Sequence, residues 1–254
     1  MRQLKEKLRQ ITDFIPKDKP VVYFDYPVHM NIGNLLIMQG TERFFRDYQY
    51  NVMLRASYIN YSSALAKKIP GDATIVLHGG GNFGDLYPVL QKHRESIITD
   101  FPLNKVVLLP QTAHFSTDFS RRASALQFRW HRDLTLFVRD EASYRQLHGV
   151  FSEKVCLMPD MAHQLWDDHY VPSRIASRRT LHLMRQDIEA VSGQDNVSGK
   201  SLSTDWIDLI SLPRRKTFNL ISRALRTEVK LARQFGTVGA WHWFCNSLVS
   251  KLIN

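Results

Sequence analysis

Thr74-Ile75-Val76-Leu77 is a compact apolar strand pattern that runs directly into His78-Gly79-Gly80-Gly81-Asn82-Phe83-Gly84-Asp85, a segment with four glycines. Glycines at a strand end let the backbone approach a ligand closely and take positive φ. A helix predicted from Pro88 to Asp100 would add free N–H groups and the positive end of its dipole. The segment therefore reads as a strand-to-helix loop for an anionic ligand. The bland alternative is a tight turn with nothing bound.

The same cycle recurs along the chain. Val21-Val22-Tyr23-Phe24 reads as a first strand, followed by a helix over Gly33–Tyr48, a strand over Val52–Ala56 and a short helix over Ser62–Lys68. Beyond the glycine segment come strand Lys105–Leu109, loop Pro110–Asp118, helix Phe119–Arg132, strand Leu134–Val138, helix Glu141–His148 and strand Lys154–Leu157. Apolar strands separated by amphipathic helices predict βαβ units and a parallel sheet buried on both faces. The expected class is α/β with a Rossmann-like N-terminal domain over residues 1–170, opened by an amphipathic helix carrying Leu4, Leu8, Ile11 and Ile15. Residues 171–254 read as an incomplete, mostly helical and basic half-domain. It has one strand candidate, Thr180–Met184, a polar loop over Glu189–Ser203 and helical spacing from Lys216 to Ile253.

Charge separates the two parts. The chain of 254 residues carries a formal +10, and residues 171–254 hold thirteen Lys and Arg against six acids. Nucleic acid, anionic lipid and charged metabolites all answer to such a field. No nucleic-acid motif accompanies it, so nucleic acid is not an expected partner. The two cysteines, Cys156 and Cys245, match neither a disulfide framework nor a metal-ligand spacing and read as reduced, buried thiols; no metal is expected. Met1–Gln10 lacks the apolar centre of a secretory signal, and no apolar run approaches bilayer length. A cytoplasmic protein is expected, with peripheral contact at the inner face of the plasma membrane left open.

Three familiar motifs compete for the glycine-rich regions and fail. Gly79, Gly81 and Gly84 stand at the spacing of a dinucleotide-binding G-x-G-x-x-G, but a lone match of this kind is weak and the segment is not read as one. The His-Gly-Gly-Gly start resembles a lipase oxyanion loop, yet no G-x-S-x-G nucleophile elbow occurs in the chain. Gly193–Ser201 misses a P-loop by one residue and has no strand before it.

In a parallel sheet the loops at the strands' carboxyl ends gather on one edge. Asn31-Ile32-Gly33-Asn34, Pro110-Gln111-Thr112, Arg139-Asp140 and Pro159-Asp160 all leave predicted strands at that edge. Each alone is more readily a cap or turn; their shared position makes them candidate ligand contacts. Arg185, with Asp187 and Glu189 nearby, stands beyond the Thr180–Met184 strand, where an arginine can clamp a carboxylate or phosphate. A solvated surface ion pair is the plain alternative. His29, His78, His114 and His163 fall at strand or loop ends, where a histidine is more often structural than catalytic.

These residues resemble the polysaccharide pyruvyl transferase family. The likeness rests on Phe24-Asp25-Tyr26-Pro27-Val28-His29, Asn31-Ile32-Gly33-Asn34-Leu35-Leu36-Ile37, His78 to Pro88, Arg94-Glu95, Leu109-Pro110-Gln111-Thr112, Phe137-Val138-Arg139-Asp140, Ser143-Tyr144, Met158-Pro159-Asp160-Met161-Ala162 and Arg185-Gln186-Asp187-Ile188-Glu189. The blocks follow the family's order over residues 21 to about 210.

The resemblance implies a fold like that of the GT-B glycosyltransferases, with the donor in a cleft between two domains. It also implies transfer of pyruvate from phosphoenolpyruvate to a sugar of an exopolysaccharide or cell-wall glycan, as a ketal and without a cofactor. The implied partners are phosphoenolpyruvate and a saccharide or lipid-linked oligosaccharide. The residues that would carry donor or substrate binding are Asn31, Gly33, Asn34, His78, Gly79, Gly80, Gly81, Asn82, Gly84, Asp85, Pro110, Gln111, Thr112, Arg139, Asp140, Asp160, His163 and Arg185. Arg185 matches the family's first donor-binding arginine.

Two departures accompany the match. Asn34 stands where the family's Asn-x-Gly-Asp loop has an aspartate, which leaves only hydrogen bonding there. No Thr-Asp-Arg-Leu-His-Gly-type segment, whose arginine and histidine the family uses on the donor and as acid, occurs before Asn254. The expectation is a shortened member with no identified catalytic acid, inactive alone as one outcome. A non-catalytic, partner-binding remnant and a GT-B-like glycosyltransferase are the alternatives.

Overall fold

A computed structural model describes residues 1–29 and 31–166, and beyond these residues 181–183, 202–204, 223, 224, 227, 241 and 243. The parallel α/β class read from the sequence is what it shows. Seven strands make one sheet in which every pairing is parallel. They are β1 (Val21–Phe24), β2 (Val52–Arg55), β3 (Thr74–Leu77), β4 (Gly80–Gly84), β5 (Val106–His114), β6 (Leu134–Val138) and β7 (Val155–Leu157). The order is β2-β1-β3-β5-β6-β7, with β4 also paired to β5.

Six helices cover the sheet: α1 (Arg2–Leu8), α2 (Ile32–Asp47), α3 (Ser63–Ala66), α4 (Pro88–Asp100), α5 (Asp118–Phe128) and α6 (Glu141–Leu147). β1, β3 and β6 are buried along their whole length because helices lie on both faces. One apolar cluster gathers α2, Leu8, Ile11 and Ile15 against Tyr23, Val107 and Phe137; the other gathers Val22, Ile75 and Leu108 against Ile97, Phe128 and Phe151. Leu4, placed on the core face of the first helix by its spacing, is instead exposed.

Two loops expected from the sequence are strand. β5 runs on to His114, so Pro110-Gln111-Thr112 lies inside it rather than in a loop. The glycine segment is strand too: β4 pairs with this extension, Gly80 opposite Gln111 and Gly84 opposite His114. β3 and β4 thus form one line along β5, interrupted at His78-Gly79. Glycine is demanded where the two chains crowd. A Cβ at Gly79 would stand 2.8 Å from the Pro110 carbonyl oxygen, and one at Gly84, where φ is +116°, would run into the His114 carbonyl. The helix does not follow the glycines directly but starts at Pro88.

Two short parallel strands, β8 (Leu181–Leu183) and β9 (Leu202–Thr204), pair with each other. β8 falls inside the expected strand. β9 overturns the reading of Leu202-Ser203 as loop and adds a second strand where one was expected. Trp241 is fully buried in the cluster around Tyr23, with its indole Nε1 donating to the Pro27 carbonyl at 2.7 Å. Cys156 is half-buried rather than buried, burial pushing its thiol pKa up; Cys245 lies outside the described residues. No helix among the described residues is long and apolar enough to cross a membrane, and no cluster of potential metal ligands occurs among them.

Candidate functional site

A cleft of about 690 Å³ opens at the carboxyl edge of the sheet. Its walls come from the loop between β1 and α2 (His29, Asn31), the first turns of α2 (Gly33, Asn34, Ile37), Tyr58 after β2, Gly81 and Asn82 of β4, Leu86 to Leu90 leading into α4, and Arg139 after β6. Its volume lies in the range of small-molecule sites.

The first turns of α2 open on the cleft. Asn31 caps the helix, its side-chain oxygen accepting from the Asn34 amide at 3.1 Å. No acidic residue occupies the first turn, so the positive end of a sixteen-residue helix is not neutralised there. The Asn34 side chain reaches over β4: its oxygen would stand 3.0 Å from a Cβ at Gly80, where φ is +136°. Gly80 thus lets the capped turn of α2 and β4 close together.

Arg139 supplies the cleft's fixed cation. Its Nη1 donates to Asp160 Oδ2 at 2.5 Å, and its Nε and Nη2 donate to Thr112 Oγ1 at 3.2 and 2.9 Å. Thr112 in turn donates to Asp140 at 2.9 Å. Asp140 caps α6 through the Ser143 amide at 2.8 Å, and Asp160 caps the short helical turn Met161–Leu165 through Ala162. Burial alone would raise the Asp140 carboxyl, but the hydrogen bonds from Ser143 and Thr112 outweigh it and hold the group below its ordinary value. The guanidinium is therefore pre-oriented, which cuts the entropic cost of engaging a ligand. A Cβ at Gly81 would come within 3.4 Å of Nη2, so a larger residue there would crowd it.

Beneath the cleft lies a buried polar layer. Arg94 of α4 is fully buried and donates to the Asn82 carbonyl at 2.7 Å, to Asn82 Oδ1 at 2.6 Å and to Asp25 Oδ2. His78 shares a 2.5 Å hydrogen bond between its Nδ1 and the Tyr23 hydroxyl. Burial, followed by the fields of His29, Arg94 and Arg139, pushes the His78 pKa well below 6.5, so the ring is neutral near pH 7 and supplies no standing charge. Gln111 Nε2 donates to the His78 carbonyl and Gln91 Oε1 accepts from the Gly84 amide at 2.9 Å. The Gly84 amide is thus occupied by the protein itself.

Of the residues singled out in the sequence, His29, Asn31, Gly33, Asn34, Gly81, Asn82 and Arg139 line the cleft together. Thr112, Asp140 and Asp160 stand behind Arg139 as its supports. His78, Gly79, Gly80, Pro110 and Gln111 form the floor beneath, in β5 and the β3–β4 line. Asp85 turns away, accepting from Ser116 and Ser120, and Gly84 packs on His114. His163 sits in the turn capped by Asp160, outside the cleft lining, and His114 is exposed at the end of β5. Arg185, Asp187, Glu189 and the near P-loop at Gly193–Ser201 lie outside the described residues.

Tyr58, Tyr87 and the apolar rim Leu86, Val89 and Leu90 were not among the candidate ligand contacts, although Leu86 and Tyr87 fall in the His78 to Pro88 block; nothing local marks a rim residue. Arg94 did carry a signal. The buried side of α4 includes Gln91, His93 and Arg94, and a polar run on a core-facing side implies a buried network.

The sequence profile of the polysaccharide pyruvyl transferase family matches residues 31–233. EpsO of Bacillus subtilis (strain 168), named as a candidate pyruvyl transferase, is 34% identical across 100% of this chain and 77% of its own length. Pyruvyl transferase 1 of Schizosaccharomyces pombe is 29% identical over 56% of this chain and 38% of its own. Among solved structures, a functionally uncharacterised protein of Klebsiella pneumoniae superposes with a TM-score of 0.52 at 19% identity, covering 74% of this chain and 67% of its own, and shares the fold.

Proposed function

This chain belongs to the polysaccharide pyruvyl transferase family, and from that premise we propose that its carboxyl-edge cleft holds phosphoenolpyruvate for transfer of the pyruvyl unit to a saccharide as a ketal. The observation that carries this reading is Arg139, fixed between Thr112 and Asp160 on a wall shared with the capped N-terminus of α2. A guanidinium and an unneutralised helix terminus in one cleft suit a small ligand with both a phosphate and a carboxylate.

The chemistry asks for three things. A proton goes to the methylene carbon of the donor, which makes C2 electrophilic. A sugar hydroxyl attacks C2 and gives up its proton; the bond from C2 to the phosphate oxygen then breaks, and a second hydroxyl closes the ketal, its proton leaving with the inorganic phosphate. Arg139 and the α2 amides would carry the donor's negative charge through this sequence, where fixed dipoles act best. His78, neutral and buried in the floor, is a poor proton donor near pH 7. No acid is assigned among the described residues. Arg185, by the family resemblance, would be a second cation on the donor.

Lipid-linked or polymeric saccharide as acceptor, action at the cytoplasmic face and a GT-B-like partner domain go with this reading. Incubation with phosphoenolpyruvate and an oligosaccharide acceptor tests it, scored by phosphate release and by the methyl signal of the ketal in proton NMR. Stoichiometric appearance of both is expected. Turnover with a nucleotide sugar instead of phosphoenolpyruvate would replace this reading with a glycosyltransferase.

A further inference from the structure

α5 has two apolar sides. Ala125 and Phe128 face the core, while Phe119 and Leu126, seven residues apart, lie on the opposite side of the helix, and Trp130 follows in the turn two residues past its end. These three are 84%, 63% and 82% exposed. A surface helix normally carries polar residues there. Phe119 and Leu126 stand about 10 Å apart along the helix axis. Leu103 is also exposed and lies two residues from Phe101, whose carbonyl is 2.9 Å from the Nε2 of His131, the residue after Trp130.

The surroundings are basic. Arg129 and Arg132 are exposed on either side of Trp130, with the Arg129 guanidinium 5.9 Å from the Trp130 ring centroid. Lys105 and Lys154 stand 2.8 and 3.1 Å from Asp133, so that acid is outnumbered. Asp118 at the other end is held by both Arg121 and Arg122.

We propose that this outer side of α5, with the turn after it, docks on an anionic membrane surface. The proposal is independent of the donor-site reading, since none of these residues lines the cleft. Four apolar side chains offer on the order of a few hundred Å², well short of the roughly 800 Å² each partner gives to a stable protein interface. A bilayer interface needs no shape complementarity. Tryptophan and phenylalanine settle at the headgroup level, and arginines beside them are drawn to anionic lipid.

The test is flotation of the full chain with vesicles of phosphatidylcholine, with and without phosphatidylglycerol, at low and high salt. Wild type is expected to float only with phosphatidylglycerol and to be released by salt. Phe119→Ser combined with Trp130→Ser should weaken binding by at least about tenfold, and Arg129→Gln with Arg132→Gln should lower it and flatten its salt dependence. All four positions are exposed, and far-UV circular dichroism with thermal unfolding serves as the folding control. Unchanged flotation of both double variants, as would follow if residues 171–254 alone did the binding, overturns the proposal. So does a wild-type dimer in sedimentation that the Phe119/Trp130 variant abolishes, because the stripe would then be a protein interface.

Discussion

The Arg94 guanidinium and the Asp25 carboxylate form an ion pair inside the protein, with side-chain exposures of 0% and 3%. Asp25 follows β1 with φ at +57°, a conformation that tolerates Asp or Asn better than most residues. Arg94 comes from α4 and also holds both the carbonyl and the side chain of Asn82 in β4. One residue thus ties together three elements whose ends or neighbours wall the cleft. Burial pushes the Asp25 carboxyl above its ordinary value and Arg94 pulls against that shift.

Removing the cation while leaving the acid should be costly. Arg94→Met is expected to lower unfolding free energy by about 3–5 kcal/mol, because an uncompensated carboxylate stays buried at a strained turn. Asp25→Asn, which keeps the shape and the turn, should cost less. Urea unfolding of the two variants decides this; the reverse ranking would mean that the pair does not organise the site.

Gly40→Ala should destabilise, against the usual gain of up to about 1 kcal/mol for that change inside a helix. Gly40 sits in α2, and a Cβ there would strike the Met161 carbonyl in the turn capped by Asp160. A loss of roughly 1–3 kcal/mol is expected. Gly71→Ala is the control, with open space around it and an expected change near zero or a gain of about 0.4–1 kcal/mol. Matching thermal shifts in the two variants would contradict the close packing of α2.

Acid should weaken the fold before the carboxylates titrate. His93 is buried against the Tyr61 ring, and its pKa is pushed down to about 3 by burial first and the Arg94 charge second; His78 is shifted the same way. The unfolded chain therefore takes up these protons at higher pH than the folded one. Stability is whole above about pH 6.5 and falls below it by about 1.4 kcal/mol per pH unit for each buried histidine. His93→Phe should remove one histidine's share, leaving a variant that loses about 1.4 kcal/mol less than wild type between about pH 7.5 and pH 5.5. Parallel pH profiles for the two proteins would exclude His93 as a source of the loss.

How much of this was legible in the sequence depends on whether the information was local. Strands such as Leu134–Val138 and helices such as α2 carry their pattern in their own residues, and they stand within a few positions of where spacing puts them. Gly80–Gly84 does not. Its strand character comes from the ladder to Gln111–His114, thirty residues on, and no glycine-rich run announces such a partner. Pro110 argued against a strand for the same reason, since proline gives no donor to a ladder. It is accommodated at the register shift between Leu108 and Gln111 against β6.

The cleft was legible in part. Asn31, Gly33, Asn34, Gly81, Asn82 and Arg139 could be grouped because strand ends share an edge in a parallel sheet. That Asp160 and Thr112 would serve Arg139, and not a ligand, depends on side-chain reach across 21 and 27 residues. The inward turn of Arg94 depends likewise on how α4 docks.

The most direct test of the central claim is a calorimetric titration of phosphoenolpyruvate into wild type and Arg139→Ala. Saturable binding by wild type is expected, with affinity lowered in the variant by about 1.5–3 kcal/mol, roughly 10- to 100-fold in Kd, as follows from loss of a charge-assisted hydrogen bond. Equal affinity in the two folded proteins would contradict the account and place the donor elsewhere.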